Sequence, residues 1–125
     1  MRTEEIEVFK NKSNGEHRHR TIHIEGLEEI KEEISLHYDM HDWSLEYIEC
    51  DGSNAVITLK SYAKDLWCHF RFKGIKKYSI DVDVLVRWVM EVWFEESPNI
   101  HAVFDGIGID IEAEELVLDM RETLD

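Results

Sequence analysis

The sequence contains few residues that break regular structure or cross-link a chain: one proline, six glycines and two cysteines among 125 residues. So little proline and glycine excludes a collagen-like or low-complexity chain, and 43% hydrophobic residues favour a globular domain. Two cysteines are too few for a disulfide framework, so Cys50 and Cys68 are expected to be buried, reduced thiols. We expect a single domain spanning residues 1–125.

Long uncharged apolar runs are also missing. No segment approaches the roughly 18 apolar residues that a membrane-spanning helix requires. The first ten residues, MRTEEIEVFK, contain glutamates and no apolar core of the kind that signal peptides have. These features predict a cytoplasmic protein without a membrane partner.

Basic residues are the third deficit, because 14 lysines and arginines stand against 28 aspartates and glutamates, a net charge of −14. Residues 81–125 carry most of the imbalance, with 13 acidic and two basic residues. Nucleic acid and anionic lipid are disfavoured as partners, because binding them requires neutralising phosphates. A basic protein partner is favoured, although acidity that only keeps a protein soluble gives the same composition.

The hydrophobic pattern predicts one helix and several strands. Leu27, Ile30 and Ile34 recur at helical spacing, which predicts a helix at about residues 26–38. Alternation with period two predicts strands over residues 4–9, 18–25, 43–50, 54–60, 66–74, 79–96, 100–106 and 107–121. The expected fold class is α+β, a mainly antiparallel sheet domain built as a sandwich or a strongly bent sheet.

Several local features refine this prediction. Turns are expected at residues 14–15, within a long polar loop, and at 51–54 and 97–99. Near Glu114 and Glu115 the buried parity changes, so a bulge or bend is expected. Residues 82–94 fit either a strand or a helical stripe, and their β-branched and aromatic content favours a strand.

The stretch LHYDMHDW, residues 36–43, places two histidines four residues apart beside two aspartates. In a continuing helix His37 and His41 would lie on one face like two zinc ligands, with Asp39 and Asp42 beside them. A zincin motif requires glutamate directly after the first histidine, and a tyrosine stands there. The favoured interpretation is a seam between helix and strand, with Asp42 bonding local amides, the tryptophan in the core, and no metal or other cofactor.

The motifs of common enzyme classes are missing. The sequence has no nucleophile elbow, phosphate-binding loop or calcium-binding loop, which favours a non-enzymatic protein. The alternating run HRHR at residues 17–20 is interpreted as an exposed strand face or loop that could pair with the acidic half of another subunit.

Four tryptophans are more than a core of this size needs. Trp67 and Trp93 fall on the mainly polar parity of their strands, and together they would form an anchor patch for a partner if both point outward. An outer face covered by the helix or by a dimer partner is the equally favoured alternative.

Three segments carry a family resemblance: HDWSLEYI at 41–48, HFRFKGIKKYSID at 69–81 and HAVFDGIGIDIEAEELVL at 101–118. Their order resembles a family of small, uncharacterised bacterial β-rich proteins, some of which are similar to immunity proteins of polymorphic toxin systems. The resemblance covers residues 37 to about 120. It implies that His41 and Asp42 mark the start of a strand, and it implies no catalytic residues.

These observations predict a non-enzymatic, immunity-like acidic binding protein that neutralises a basic protein partner. The expected partner-binding residues are Glu91, Glu95, Glu96, Asp110, Glu112 and Glu114, with Trp67 or Trp93 as the anchor. Two alternatives stay open: a metal-dependent enzyme that uses the His37/His41 region, and a homo-oligomeric structural protein.

Overall fold

The structure, a computed structural model, describes residues 1–11, 15–83, 85–96 and 98–124. Within these ranges the chain forms eight strands, one α-helix and a short 3₁₀ turn, which confirms the α+β, mainly antiparallel fold class. The elements are β1 (Arg2–Asn11), β2 (Gly15–Glu25), α1 (Leu27–Ser35), the 3₁₀ turn (Tyr38–Met40), β3 (Ser44–Cys50), β4 (Asn54–Lys60), β5 (Leu66–Ile80), β6 (Glu91–Glu96), β7 (Ile100–Asp105) and β8 (Ile109–Thr123).

All the strands belong to one antiparallel sheet. Its main path has the order β1-β2-β8-β5-β4-β3, and the β6–β7 hairpin joins it where β7 pairs with β8. In the described part of the chain, no helix is long and apolar enough to cross a membrane.

Strand β8 lies in the middle of the sheet and changes one neighbour halfway along. Residues 109–113 pair with β7 and residues 117–123 pair with β2, while β5 accompanies both halves. The buried parity changes between these halves, where Glu114 and Glu115 are both exposed. The register shift itself lies on β5, just after Ile75. The expected bend is therefore confirmed, with the extra residue on the neighbouring strand.

The sheet curves until its β3 edge meets the residues that precede β6. Backbone hydrogen bonds of 2.7–2.9 Å (N···O) join residues 87–89 to residues 42–45 at the start of β3. In the strand order β3 and β6 lie on opposite sides of β8, so this contact requires strong curvature. Of the two expected architectures, the strongly bent sheet matches the structure.

The hydrophobic core lies between the bent sheet and α1, which contacts β2, β6 and β8. Ile30 and Ile34 of α1 are buried, and the buried Glu33 beside them lies 3.6 Å from a guanidinium nitrogen of Arg2. Trp43 is in the core, as expected. The largest fully buried side chains of the strands are Phe70, Phe72, Phe104, Ile24, Ile57, Leu59, Ile109 and Ile111.

The prediction of one continuous strand across residues 79–96 is wrong for the middle of that range. The alternative prediction of a helix over residues 82–94 is also wrong. β5 ends at Ile80 and β6 begins at Glu91, with irregular chain in the described part between them. The carboxylate of Asp83 accepts a 2.9 Å hydrogen bond from the Leu85 amide, a local turn that competes with strand pairing. The alternating apolar residues continue through this segment but are largely exposed, so the pattern there does not reflect a buried face.

The predicted hairpins form with different bounds. β1 and β2 pair over longer ranges than expected, so their connection is shorter than the predicted polar loop. Of the turn residues, Asn14 and Ser97 lie outside the described part of the chain. At 51–54 the turn is confirmed: Asp51 accepts hydrogen bonds from the amides of residues 53 and 54 at 2.8 and 2.7 Å, which lower the pKa of its carboxyl.

Both cysteines are free, and only one matches the expectation of a buried thiol. Cys68 is fully buried on β5, and burial raises the pKa of its thiol well above the usual value. Cys50, the last residue of β3, is only partly buried.

Candidate partner-binding surface and histidine sites

The outer side of β6, β7 and the first half of β8 gathers several of the expected partner-binding residues. Alternate residues of these strands, such as Val92, Phe104 and Ile111, are buried in the core, so the intervening side chains point outward. We define the acidic face as the outward residues Glu91, Trp93, Glu95, Asp105, Asp110 and Glu112.

The strand register fixes the arrangement of the acidic face. Trp93 pairs with Val103, which pairs with Asp110. Glu95 and Glu112 lie on either side of His101 in the next row. Glu91 and Glu95 lie two residues before and after Trp93 on the same side of β6, so carboxylates flank the tryptophan along its own strand.

Two of the described side chains on this surface are basic, those of His101 and Lys77. His101 hydrogen-bonds through Nε2 to the carboxylate of Asp110, and its Nδ1 lies 3.8 Å from a Glu95 oxygen. Lys77 pairs with Glu112 at the β5 side. Trp93 is 38% exposed, with its ring centre 6.4 Å from that of His101. The acidic face is therefore a strongly negative surface with an accessible aromatic side chain.

Three of the expected partner-binding residues lie elsewhere. Glu96 is exposed but falls on the other parity of β6. Glu114 is exposed at the bend of β8, and its Oε1 lies 2.7 Å from Lys76 Nζ. Trp67 is half-buried near the opposite end of β5, where the Lys60 ammonium lies 5.5 Å from its ring centre.

A joint patch of Trp67 and Trp93 is excluded by the register. Trp93 shares its row with Ser79 of β5, through Val103 and Asp110. Trp67 lies twelve residues away along the same strand, roughly 40 Å at 3.3 Å per residue. Only Trp93 is therefore placed to serve as the anchor of the acidic face.

The LHYDMHDW stretch ends the helical region with an unusual backbone. α1 stops at Ser35 instead of continuing to about residue 38. Tyr38, Asp39, Met40 and Asp42 all have φ between 54° and 64°, the left-handed region that non-glycine residues rarely adopt. A right-handed helix cannot pass through such residues, so the stretch forms the expected seam between helix and strand.

This backbone directs the two histidines to different partners. Burial lowers the pKa of the His37 imidazole, whose Nε2 lies 3.9 Å from Glu33 Oε1 and whose ring packs edge-on against Trp43. His41 donates a 2.9 Å hydrogen bond from Nδ1 to the carbonyl of Met90. In the described part of the chain, no group of three or more His, Cys, Asp or Glu side chains is arranged to hold a metal ion.

A second polar site lies on the outer side of β2, β8, β5 and β4, and the sequence did not indicate it. The register places His23, Asp119, His69 and Thr58 in one row across these four strands. Asp119 accepts hydrogen bonds from His23 Nδ1 at 2.5 Å and from Arg71 Nε at 2.7 Å. His69 Nδ1 and the buried Thr58 hydroxyl share a 2.8 Å hydrogen bond.

The two histidines of this row have opposite pKa shifts. Hydrogen bonds to the carboxylates of Asp119 and Glu25 raise the pKa of His23. Burial, with a smaller effect of the nearby Arg71 charge, lowers the pKa of His69. A groove of about 370 Å³ runs along the row and is lined by both rings. His23 and His69 lie on either side of Asp119, which also forms an ion pair with Arg71.

The sequence alternation indicated that His69 and Arg71 point outward together, but not which residues face them. His23 and Asp119 are 96 residues apart, and only the pairing of β2 with β8 brings them into contact.

Scans against protein-family models and searches of curated proteins and solved structures find no match to this chain. The functional proposal therefore rests on the residues and contacts described above.

Proposed function

We propose that the chain is a non-enzymatic binding protein whose acidic face docks a basic protein partner, in the manner of an immunity protein. The observation that carries the proposal is the convergence of five carboxylates from three neighbouring strands around the exposed Trp93. The partner's lysines and arginines would pair with the carboxylates, and an apolar side chain of the partner would cover the indole.

The electrostatics of the acidic face support a cationic partner. Like charges in neighbouring cross-strand positions destabilise the sheet, so a partner that neutralises them gains affinity by relieving repulsion. Close charge pairs in protein interfaces have coupling energies of about 1.5–7 kcal/mol, so a few are enough for tight binding. Occupying basic residues that a toxin uses on its own anionic substrate would block the toxin sterically and electrostatically.

An exposed apolar segment directly before β6 supports a protein partner rather than a small cation. Trp88 is 51% exposed and Met90 is 58% exposed. The Trp88 ring packs edge-on against the exposed Tyr62, with ring centres 6.3 Å apart. Contiguous exposed apolar side chains beside a charged surface are typical of protein interaction sites.

We also propose that the protein acts in the cytoplasm. Cys50 and Cys68 are both free thiols, and the partly exposed Cys50 would be open to oxidation in an oxidising compartment. A reducing compartment keeps both in the state described here.

The test uses nona-arginine peptide as a defined cationic probe and the full chain labelled with ¹⁵N. We expect the largest amide shift changes in β6, β7 and residues 109–113. The variant Glu95→Gln/Glu112→Gln should bind about tenfold more weakly, because two partly exposed charge contacts of roughly 0.5–1 kcal/mol each are lost. Trp93→Ala should weaken binding further without changing the salt dependence.

The matched control is Glu28→Gln/Glu32→Gln, which removes the same charge from the exposed side of α1. It should leave the affinity within about twofold of the unmodified chain. Equal weakening by both double variants, or shifts spread over the whole surface, would mean that the peptide senses only net charge and would overturn the proposal.

A further inference from the structure

Strand β1 is a regular strand that contributes nothing to the core. Every residue from Arg2 to Lys10 is exposed. These include Ile6, Val8 and Phe9, which are 62%, 51% and 45% exposed. Three large apolar side chains on one solvent-exposed strand are unfavourable unless another surface covers them.

The outer edge of β1 is also open. β1 pairs with β2 from Arg2 opposite Ile24 to Asn11 opposite Gly15, and it is the terminal strand of the sheet. At the other end of the main path, residues 87–89 hydrogen-bond to the start of β3, whereas no described segment pairs with the outer edge of β1. An uncovered edge presents a row of unpaired backbone amides and carbonyls, which is a template for another strand.

The end of β1 extends beyond the rest of the sheet. β2 pairs with β8 from His19 onward, and the Leu124 amide donates to the Arg18 carbonyl. The part of β1 opposite residues 15–17 has no third strand beside it among the described residues. A two-stranded ribbon without a packed face is only marginally stable in water. A partner strand beside β1 would therefore stabilise this ribbon.

We propose that β1 pairs antiparallel with β1 of a second copy across a two-fold axis, which joins the two sheets into one. Of the registers centred on Ile6, Glu7 and Val8, only the one centred on Glu7 forms opposite-charge pairs within β1. With Glu7 on the axis, Glu4 lies opposite Lys10 and Ile6 lies opposite Val8, and each pair occurs twice. Ile6 and Val8 then cover each other, and Phe9 lies opposite Glu5.

The register centred on Ile6 is electrostatically unfavourable, and the register centred on Val8 lacks any opposite-charge pair within β1. With Ile6 on the axis, Arg2 would lie opposite Lys10 and Glu5 opposite Glu7, so both charged pairs would be repulsive. The register centred on Glu7 leaves one like-charged pair, that of Glu7 with its own copy. This residual repulsion makes Glu7 a sensitive position for a test.

Cysteine cross-linking tests the register directly, in a Cys50→Ser background because Cys68 is fully buried. Residues opposite each other in an antiparallel pair have Cα atoms about 4.5–5.5 Å apart, within reach of a disulfide. Under a mild oxidant, Glu7→Cys should give a covalent dimer. Ile6→Cys should not, because its own copy would lie two residues out of register.

Sedimentation velocity of the full chain over 1–500 µM gives the independent measurement. We expect a concentration-dependent dimer that Ile6→Thr weakens at least tenfold, whereas Leu36→Thr, at an exposed site away from β1, has no effect. Glu7→Gln should tighten the dimer up to about fivefold, and Glu5→Gln, with the same charge change, should not.

Three outcomes would overturn the proposal. A chain that stays monomeric at 500 µM excludes the β1 dimer and leaves the edge to a strand of another protein. Efficient cross-linking of Ile6→Cys excludes the register centred on Glu7. A dimer that survives Ile6→Thr and forms no Glu7→Cys cross-link must use another surface. Because β1 contributes no residue to the acidic face, these results are independent of the peptide-binding test.

Discussion

Strands β1 and β8 are both long and antiparallel, yet they are held in different ways. β8 is paired on both sides and buries Ile109, Ile111, Leu116 and Leu118, among others, in the core. β1 is paired on one side and buries no described side chain. The comparison separates two properties that secondary structure alone does not distinguish: backbone pairing, which both strands have, and side-chain burial, which only β8 has.

The largest expected effect is a difference in the free energy of unfolding between two variants that each remove a phenylalanine, one beside β8 and one on β1. Phe70 of β5 is fully buried, pairs with Leu118 of β8 and packs edge-on against Phe104 at a ring-centre distance of 4.9 Å. Phe70→Ala should lower the free energy of unfolding by about 3–5 kcal/mol. Phe9→Ala on β1 should lower it by less than about 1 kcal/mol, because Phe9 is 45% exposed and its ring packs edge-on against the His19 ring. Urea unfolding at low micromolar concentration measures both, and similar losses would show that β1 is energetically part of the core.

A smaller difference is expected between two glycines at the turns that precede β2 and β8. Gly15 and Gly108 have nearly the same φ, +78° and +75°. A Cβ at Gly15 would meet nothing within 4 Å, whereas a Cβ at Gly108 would lie 2.2 Å from the carbonyl oxygen of Asp81.

Gly15→Ala should therefore lower the free energy of unfolding only by the roughly 1–2 kcal/mol of left-handed strain. Gly108→Ala should lower it by about 1–3 kcal/mol more, because the backbone must also move. Urea unfolding of the two variants gives the difference directly. If both variants lose the same free energy of unfolding, the backbone around Gly108 can move away from an added Cβ without further cost.

The smallest expected effect concerns the histidines where β2 meets β8. In an NMR titration His23 should titrate above the ordinary histidine pKa and His69 below it. Asp119→Asn should lower the pKa of His23, because its strongest hydrogen-bonding partner loses its charge. A titration order with His69 above His23 would contradict the described contacts.

The two shifts affect stability in opposite pH ranges. Because folding raises the pKa of His23, its contribution is fully present below the unfolded pKa of about 6.5 and is lost as the pH rises through the folded value. Folding lowers the pKa of His69, so its contribution is present above about pH 6.5 and is lost as the pH falls through the folded value. The Asp119→Asn variant should lose the first of these dependences.

Local patterns in the sequence predict much of the fold. The alternation of residues 66–73 correctly separates the buried from the outward side chains of β5, and the parity change near Glu114 correctly marks the bend in β8. The same alternation fails at residues 81–90, because exposed apolar side chains in a loop give the same pattern as a buried strand. The helical spacing of apolar residues also overextends α1, because that spacing gives no sign of the left-handed residues in LHYDMHDW.

The candidate site is only partly predictable, because it depends on which strands become neighbours. The charge excess of residues 81–125 indicates an acidic surface, and part of that excess converges on the acidic face. The separation of Trp67 from Trp93, and the meeting of His23 with Asp119, follow from registers between strands far apart in sequence. Composition and periodicity carry no information about those pairings.

The central position of β8 also constrains how the protein assembles during synthesis. The apolar sides of β2 and β5 have no neighbour between them until residues 109–123 have left the ribosome. Pairings that join segments about a hundred residues apart form slowly, because the intervening chain must first be ordered. We expect the sheet to stay incomplete during synthesis until β8 inserts between β2 and β5.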